Sequence, residues 1–338
     1  LQQLPARLAL VLWVQVECFR FLEVELSSSR IAFLFPGQGS QHVGMGKDFY
    51  NRYPFAREVY EQANDILGWD IAKLSFEGPK EKLTLTSNTQ PAIMVHSYIA
   101  CTLLMENGVN PSLAMGHSLG EYSALLAAGA MDFPTALCLV KERGRFMHST
   151  VPESGGAMAA LLGLDREVVE AICREASGVV EVANYNAPGQ IVISGEQDAV
   201  EAAVSLAKDR GVRKAVMLPV GAPFHSSLLE EAGRRMREVL ESVSFSELTI
   251  PVYSNVTSQP VIDSEEAREL LKKQVRAAVR WEDSVRSAER ENISAFIEVG
   301  PGRVLSGLNK RIVREVPVFN VEDSESLEKT LSKVAGLS

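Results

Sequence analysis

The chain of 338 residues alternates short, uninterrupted apolar runs with longer stretches in which apolar positions recur every three or four residues. Ile31-Ala32-Phe33-Leu34-Phe35 is apolar throughout, as a strand buried on both faces of a sheet must be. It stops at a glycine-rich segment, Pro36-Gly37-Gln38-Gly39-Ser40-Gln41. Helical periodicity follows over residues 50–67 and 90–107. A short apolar run, Leu113-Ala114-Met115, then feeds Gly116-His117-Ser118-Leu119-Gly120, and residues 121–127 read as a helix. Another helix spans 133–149, with Ala136, Leu137, Val140, Phe146 and Met147 on its apolar side. Strands alternating with helices predict an α/β core on a mainly parallel sheet.

The rhythm changes between residues 155 and 219. Strands are predicted at 157–162, 179–184, 190–194 and 213–218, with helices at 166–176 and 197–210. That order, βαββαβ, is the ferredoxin-like unit, and its length suits a small inserted subdomain. A helix at 228–242, a strand at 252–255 and a last strand at 295–299, ending at Gly300-Pro301-Gly302, return the chain to the core. The pattern therefore divides into a core of 30–154 and 220–325, a subdomain of 155–219 and a C-terminal tail of 326–338. Residues 1–29 read as an extension outside the fold, with Ser27-Ser28-Ser29 as the boundary. Their apolar run, residues 8–16, is far short of the roughly 20 residues needed to span a bilayer.

Composition narrows the function classes. Lys and Arg number 34 against 43 Asp and Glu, a net charge of −9, which disfavours nucleic acid as the main partner. Cys18, Cys101, Cys138 and Cys173 are widely spaced. They read as buried thiols of a cytoplasmic protein rather than a disulfide or zinc framework.

Gly116-His117-Ser118-Leu119-Gly120 carries the chemistry. Between a strand and a helix, Gly-x-Ser-x-Gly forms a sharp turn that lifts the serine hydroxyl clear of the sheet at the positive end of a helix. Ser118 is thus the candidate nucleophile, against the plainer reading of a structural turn. A base must come from five histidines. His117 adjoins Ser118 and points away from it, while His96 and His148 lie in helical patterns. His225, in the Pro223-Phe224-His225-Ser226 loop between subdomain and core, is favoured; His42 stays open as a second candidate. The backbone N–H of Leu119, next to the nucleophile, is the natural first oxyanion donor. That of Gln38, between two glycines, suits the second.

Six segments in one order resemble the malonyl-CoA:acyl-carrier-protein transacylase family of fatty-acid synthesis. They are Phe35-Pro36-Gly37-Gln38-Gly39-Ser40-Gln41, Thr89-Gln90-Pro91-Ala92, Gly116-His117-Ser118-Leu119-Gly120-Glu121, Arg143-Gly144-Arg145-Phe146-Met147, Pro223-Phe224-His225-Ser226 and Glu298-Val299-Gly300-Pro301-Gly302. The resemblance covers about residues 31 to 320. It implies a hydrolase-like α/β core and a ping-pong transfer in which Ser118 takes malonyl from malonyl-CoA and passes it to the phosphopantetheine thiol of an acyl carrier protein. It also implies His225 as base, the Gln38 and Leu119 amides as oxyanion hole, and the backbone carbonyl of Gln274 in place of a triad carboxylate. Relatives usually carry Asn-Pro before the valine, where this chain reads Val275-Arg276-Ala277-Ala278-Val279-Arg280-Trp281 just after Gln274.

By the same resemblance, Arg143 clamps the malonyl carboxylate, a task suited to a planar guanidinium; on composition alone it would read as a surface arginine. Gln90 shapes the pocket, Asn186 and Asn255 line it, and Phe224 fills the space an α-methyl group would need, each with core packing as the plainer reading. Lys310, Arg311 and Arg314 form a basic run, either a solvated helix face or a dock for an acidic carrier protein. The expected enzyme is a monomer with no metal, no cofactor besides its malonyl-CoA substrate, and no nucleic-acid or membrane partner. The rival readings are a serine esterase or thioesterase and a stand-alone polyketide-synthase-type acyltransferase.

Overall fold

The computed structural model describes residues 29–150, 155–220 and 222–337. The predicted extension lies outside these residues except for Ser29, whose hydroxyl donates to the Leu337 carbonyl at 3.0 Å.

The larger sheet contains β1 (Ile31–Phe35), β2 (Leu113–Gly116), β7 (Val252–Tyr253), β8 (Pro260–Val261), β9 (Ala295–Val299) and β10 (Val318–Val321), in the order β10-β9-β1-β2-β7-β8. All neighbours are parallel except β7 and β8. β1 sits centrally and is buried on both faces. Ile31, Phe33 and Phe35 enter one hydrophobic cluster and Ala32 and Leu34 the other, which is why its sequence is apolar without alternation. Its register pairs Phe35 with Gly116, so the glycine-rich segment after β1 and the Ser118 turn after β2 leave the sheet side by side. That is the carboxyl edge, where open α/β sheets build their sites.

The smaller sheet contains β3 (Gly156–Leu162), β4 (Val180–Ala187), β5 (Gln190–Glu196) and β6 (Lys214–Met217), antiparallel in the order β4-β5-β3-β6. Helices Arg166–Glu175 and Gln197–Asp209 share a hydrophobic cluster with it. This is the ferredoxin-like arrangement that the βαββαβ order predicts. It is tied to the larger unit by Tyr185 N–H to the Val279 carbonyl (2.9 Å), Val279 N–H to the Ala183 carbonyl (2.8 Å) and a two-pronged Arg166–Asp283 ion pair.

Several local expectations change. The helix expected over 50–67 is two, Lys47–Arg52 and Pro54–Leu67, because Tyr53 before the proline is extended. The strand at 295–299 is not the last: β10 follows and forms the sheet edge. Residues 326–338, expected as a tail, mostly belong to helix Ser324–Val334, which Asp323 and Ser326 cap reciprocally and which buries Leu327 and Val334. Of the cysteines expected to be buried, Cys101 is buried, Cys173 is intermediate and Cys138 is exposed on helix Phe133–Ser149, while Cys18 lies outside the described residues. No helix among the described residues is long and apolar enough to cross a membrane.

Candidate active site

The turn after β2 is sterically forced. A Cβ at Gly116 would lie 1.9 Å from the Gly120 carbonyl oxygen, and one at Gly120 would lie 2.0 Å from that of Phe35. Both positions therefore require glycine. Between them Ser118 adopts φ 54°, a conformation that costs a non-glycine residue about 1–3 kcal/mol and lasts only where its surroundings dictate it. Here they do: the Ser118 N–H donates to Asn255 Oδ1 at 2.7 Å, and Asn255 Nδ2 donates to the Gly116 carbonyl at 2.6 Å. Helix Gly120–Ala127 starts directly behind the serine.

His225 also has a positive φ, 59°, and is 4% exposed. Its Nε2 lies 2.7 Å from Ser118 Oγ, 107 residues away in sequence. Its Nδ1 is 3.0 Å from the carbonyls of both Gln274 and Ala277. Two acceptors at Nδ1 require the N–H there, which leaves the Nε2 lone pair facing the serine hydroxyl. Burial, helped by the Arg143 cation and His117, lowers the imidazole pKa to about 3, so the ring is neutral at physiological pH. The departure from Asn-Pro after Gln274 does not displace this carbonyl: helix Ser264–Gln274 ends there.

Arg143, on helix Phe133–Ser149, is 1% exposed. Nη1 donates to Gln90 Oε1 at 2.7 Å, and Nη2 donates to Ser118 Oγ and Gln274 Oε1, both at 3.0 Å. Among the described residues, no carboxylate forms an ion pair with it, and its buried Nε has no hydrogen-bond partner. A buried cation in this state has its desolvation only partly offset, and Arg143 lines the cavity, where it can meet an anion.

These groups surround a cavity of about 120 Å³ lined by Gln38, Gln90, Ser118, Leu119, Arg143, Phe224 and His225, among others. The Gln38 and Leu119 amides are not engaged by other protein groups among the described residues. Two predicted lining residues are placed differently. Asn255 lies beneath the turn and holds its backbone, and Asn186 Oδ1 accepts from His117 Nε2 at 2.8 Å. His42 is exposed and takes no part. A hydroxyl paired with a neutral imidazole, with free amides alongside, can take and release an acyl group.

The acyl transferase domain family matches residues 32–330. A malonyl CoA-acyl carrier protein transacylase of Bacillus subtilis is 44% identical over 303 residues, covering 89% of this chain and 96% of that protein. The chain belongs to the malonyl CoA-acyl carrier protein transacylase family. The solved acyl-carrier-protein S-malonyltransferase of Burkholderia pseudomallei superposes with a TM-score of 0.87 at 44% identity, covering 90% of this chain and 99% of that one. A malonyl-transacylase solved in complex with its type II polyketide-synthase acyl-carrier protein superposes at 0.88, with 40% identity, covering 90% and 100%.

Within this transacylase fold, several wall residues carry no distinguishing sequence signal. Met147, Met158, Asn184, Leu218 and Val220 also line the cavity. Leu218 and Val220 follow β6 (Lys214–Met217), and apolar residues there are ordinary for a strand end. Glu121 is the other omission. As an acidic residue in the first turn of a helix it reads as a favourable dipole contact, yet it is buried, and desolvation raises its pKa to about 7.

Proposed function

We propose that the protein transfers malonyl from malonyl-CoA to the phosphopantetheine thiol of an acyl carrier protein, for fatty-acid chain elongation, through an ester on Ser118. His225 Nε2 accepts the Ser118 hydroxyl proton as Oγ attacks the thioester carbonyl carbon. The tetrahedral oxyanion is held by the Leu119 and Gln38 amides. As the C–S bond breaks, His225 returns the proton to the departing coenzyme A thiolate. The second half runs in reverse: the carrier thiol gives its proton to His225, its sulfur attacks the Ser118 ester, and the proton returns to Ser118 Oγ. Gln274 and Ala277 carbonyls orient the imidazole; being neutral, they fix its tautomer without the charge of a triad aspartate.

The observation that carries the malonyl assignment is Arg143, a buried guanidinium without an ion-pair partner among the described residues, 3.0 Å from Ser118 Oγ. A dicarboxylic half-thioester brings the missing anion; an acetyl group does not. Gln90 steadies the guanidinium, and Phe224 closes the wall opposite an α-substituent. The division into a core of 30–154 and 220–325 with an inserted 155–219 subdomain suits this chemistry, because Ser118 and Arg143 come from one unit and the Asn184 wall from the other. Lys310 and Arg311 are exposed, and Arg311 donates to the Pro188 carbonyl at the β4–β5 turn, so a carrier protein docked there would lie alongside the cleft. A cytoplasmic monomer with no metal or organic cofactor completes the reading.

The test is intact mass spectrometry after incubation with malonyl-, methylmalonyl- or acetyl-CoA. A malonyl increment on the wild type, absent from Ser118→Ala, is expected; no increment on the wild type would end the proposal. The relative solved with a polyketide-synthase carrier favours one second reading, a stand-alone polyketide-type acyltransferase. Transfer rates to fatty-acid and polyketide carrier proteins, measured side by side, separate the two.

A further inference from the structure

Glu121 takes no part in the mechanism above, yet it lies at the junction of everything that does. Its carboxylate is 2% exposed. Oε2 accepts from Gln274 Nε2 at 2.7 Å and from the Asn255 N–H at 3.1 Å. Each partner continues into the site. Asn255 holds the Ser118 N–H and the Gly116 carbonyl through its side chain. Gln274 Nε2 also donates to the Ser118 carbonyl at 2.8 Å, its Oε1 accepts from Arg143 Nη2, and its backbone carbonyl accepts from His225 Nδ1.

The chemistry fixes the direction of the chain. Glu121 Oε2 and the Ser118 carbonyl both accept from Gln274 Nε2, so the NH2 faces them. The amide is planar, so its oxygen is then turned toward Arg143, where it accepts one guanidinium N–H and sets the angle at which Nη2 meets Ser118 Oγ. A helix-capping acid would sit at the surface; this one is buried with the opposite charge of Arg143 bridged to it by one amide. Resting on the malonyl-transfer reading, we propose that Glu121 is a positioning residue for acyl selection: it holds the Gln274 side chain so that Arg143 is aimed across the cavity at the incoming carboxylate.

The experiment compares loading of wild type, Glu121→Leu and Glu121→Gln by malonyl-CoA and by acetyl-CoA, with kcat and KM for each and an unfolding curve for every variant. Oε2 alone accepts from both Gln274 Nε2 and the Asn255 N–H, so glutamine can keep both bonds through its one oxygen, whereas leucine accepts neither. Malonyl loading by E121L is expected to fall about 10- to 100-fold, mainly through KM, with acetyl loading within about threefold of wild type. E121Q, which keeps the acceptor, should recover most of the loss. A malonyl-to-acetyl ratio of E121L equal to wild type, whether both rates are kept or both are lost, overturns the proposal. Should E121L not fold, Glu121→Ala removes the same acceptor without adding apolar bulk, and the same ratio decides. Failure of the wild type to take malonyl at all would instead defeat the transfer reading.

Discussion

Replacing Arg143 by alanine separates recognition of the acyl group from the chemistry performed on it. In the wild type, a malonyl carboxylate meeting the guanidinium edge gains two charge-assisted hydrogen bonds. At about 1.5–3 kcal/mol each, their combined loss is about 3–6 kcal/mol. At about 1.4 kcal/mol per tenfold change, malonyl loading should slow by about two to four orders of magnitude. The same change acts oppositely on the base. His225 loses the cation that helps depress its pKa, so its Nε2 becomes a better proton acceptor at neutral pH. Acetyl loading should therefore persist or rise. Gln90 Oε1 and Gln274 Oε1 each lose a donor, a cost of about 1–3 kcal/mol apiece, offset in part by removing an unpaired buried charge. The variant should still fold. Single-turnover loading with each acyl-CoA, followed by intact mass, reads the outcome. Equal losses for malonyl and acetyl would show that Arg143 serves the Ser118–His225 geometry and not the carboxylate, and the clamp would be refuted.

Other consequences are independent of that one. Gly120→Ala places a methyl 2.0 Å from the Phe35 carbonyl oxygen, against backbone that cannot yield, so soluble folded protein should be lost or its melting temperature should drop sharply. An unchanged melt would mean the turn is looser than described. His96 is buried with its pKa lowered to about 4 by desolvation. Its folded form resists protonation while an unfolded histidine takes a proton near pH 6.5, so its stabilising contribution is complete above that value and lost as pH falls toward 4. Urea unfolding should show about 2 kcal/mol less stability at pH 5 than at pH 7 from this residue, and His96→Met should flatten the pH dependence by that amount. Reversing charge at Lys310 and Arg311 should slow transfer to an acidic carrier protein, more at low salt, while leaving acyl loading from malonyl-CoA intact; unaltered carrier transfer would remove the dock.

Local rules made much of this protein legible in its sequence. The unbroken apolar β1, the βαββαβ order of the subdomain and the glycine-flanked Ser118 are consequences of near-neighbour sterics and periodicity, and the structure repeats them almost residue for residue. Even the two obligatory glycines of the turn follow from contacts within a few residues of each other or across one strand pair. Tertiary structure alone decided what depends on distant segments meeting. His225 could be favoured by elimination, but only folding sets it 2.7 Å from Ser118 Oγ. Asn255 looks like one more polar pocket residue until the sheet places it beneath the turn, where a backbone bent to φ 54° has an N–H with no helical or strand partner to satisfy. Glu121 is the sharpest case: an acid in the first turn of a helix is ordinarily answered by water and the helix dipole, and here it is buried against Gln274. Charge and hydrogen-bonding capacity are written in the residue type, but whether water or protein answers them is settled only when the chain closes around it.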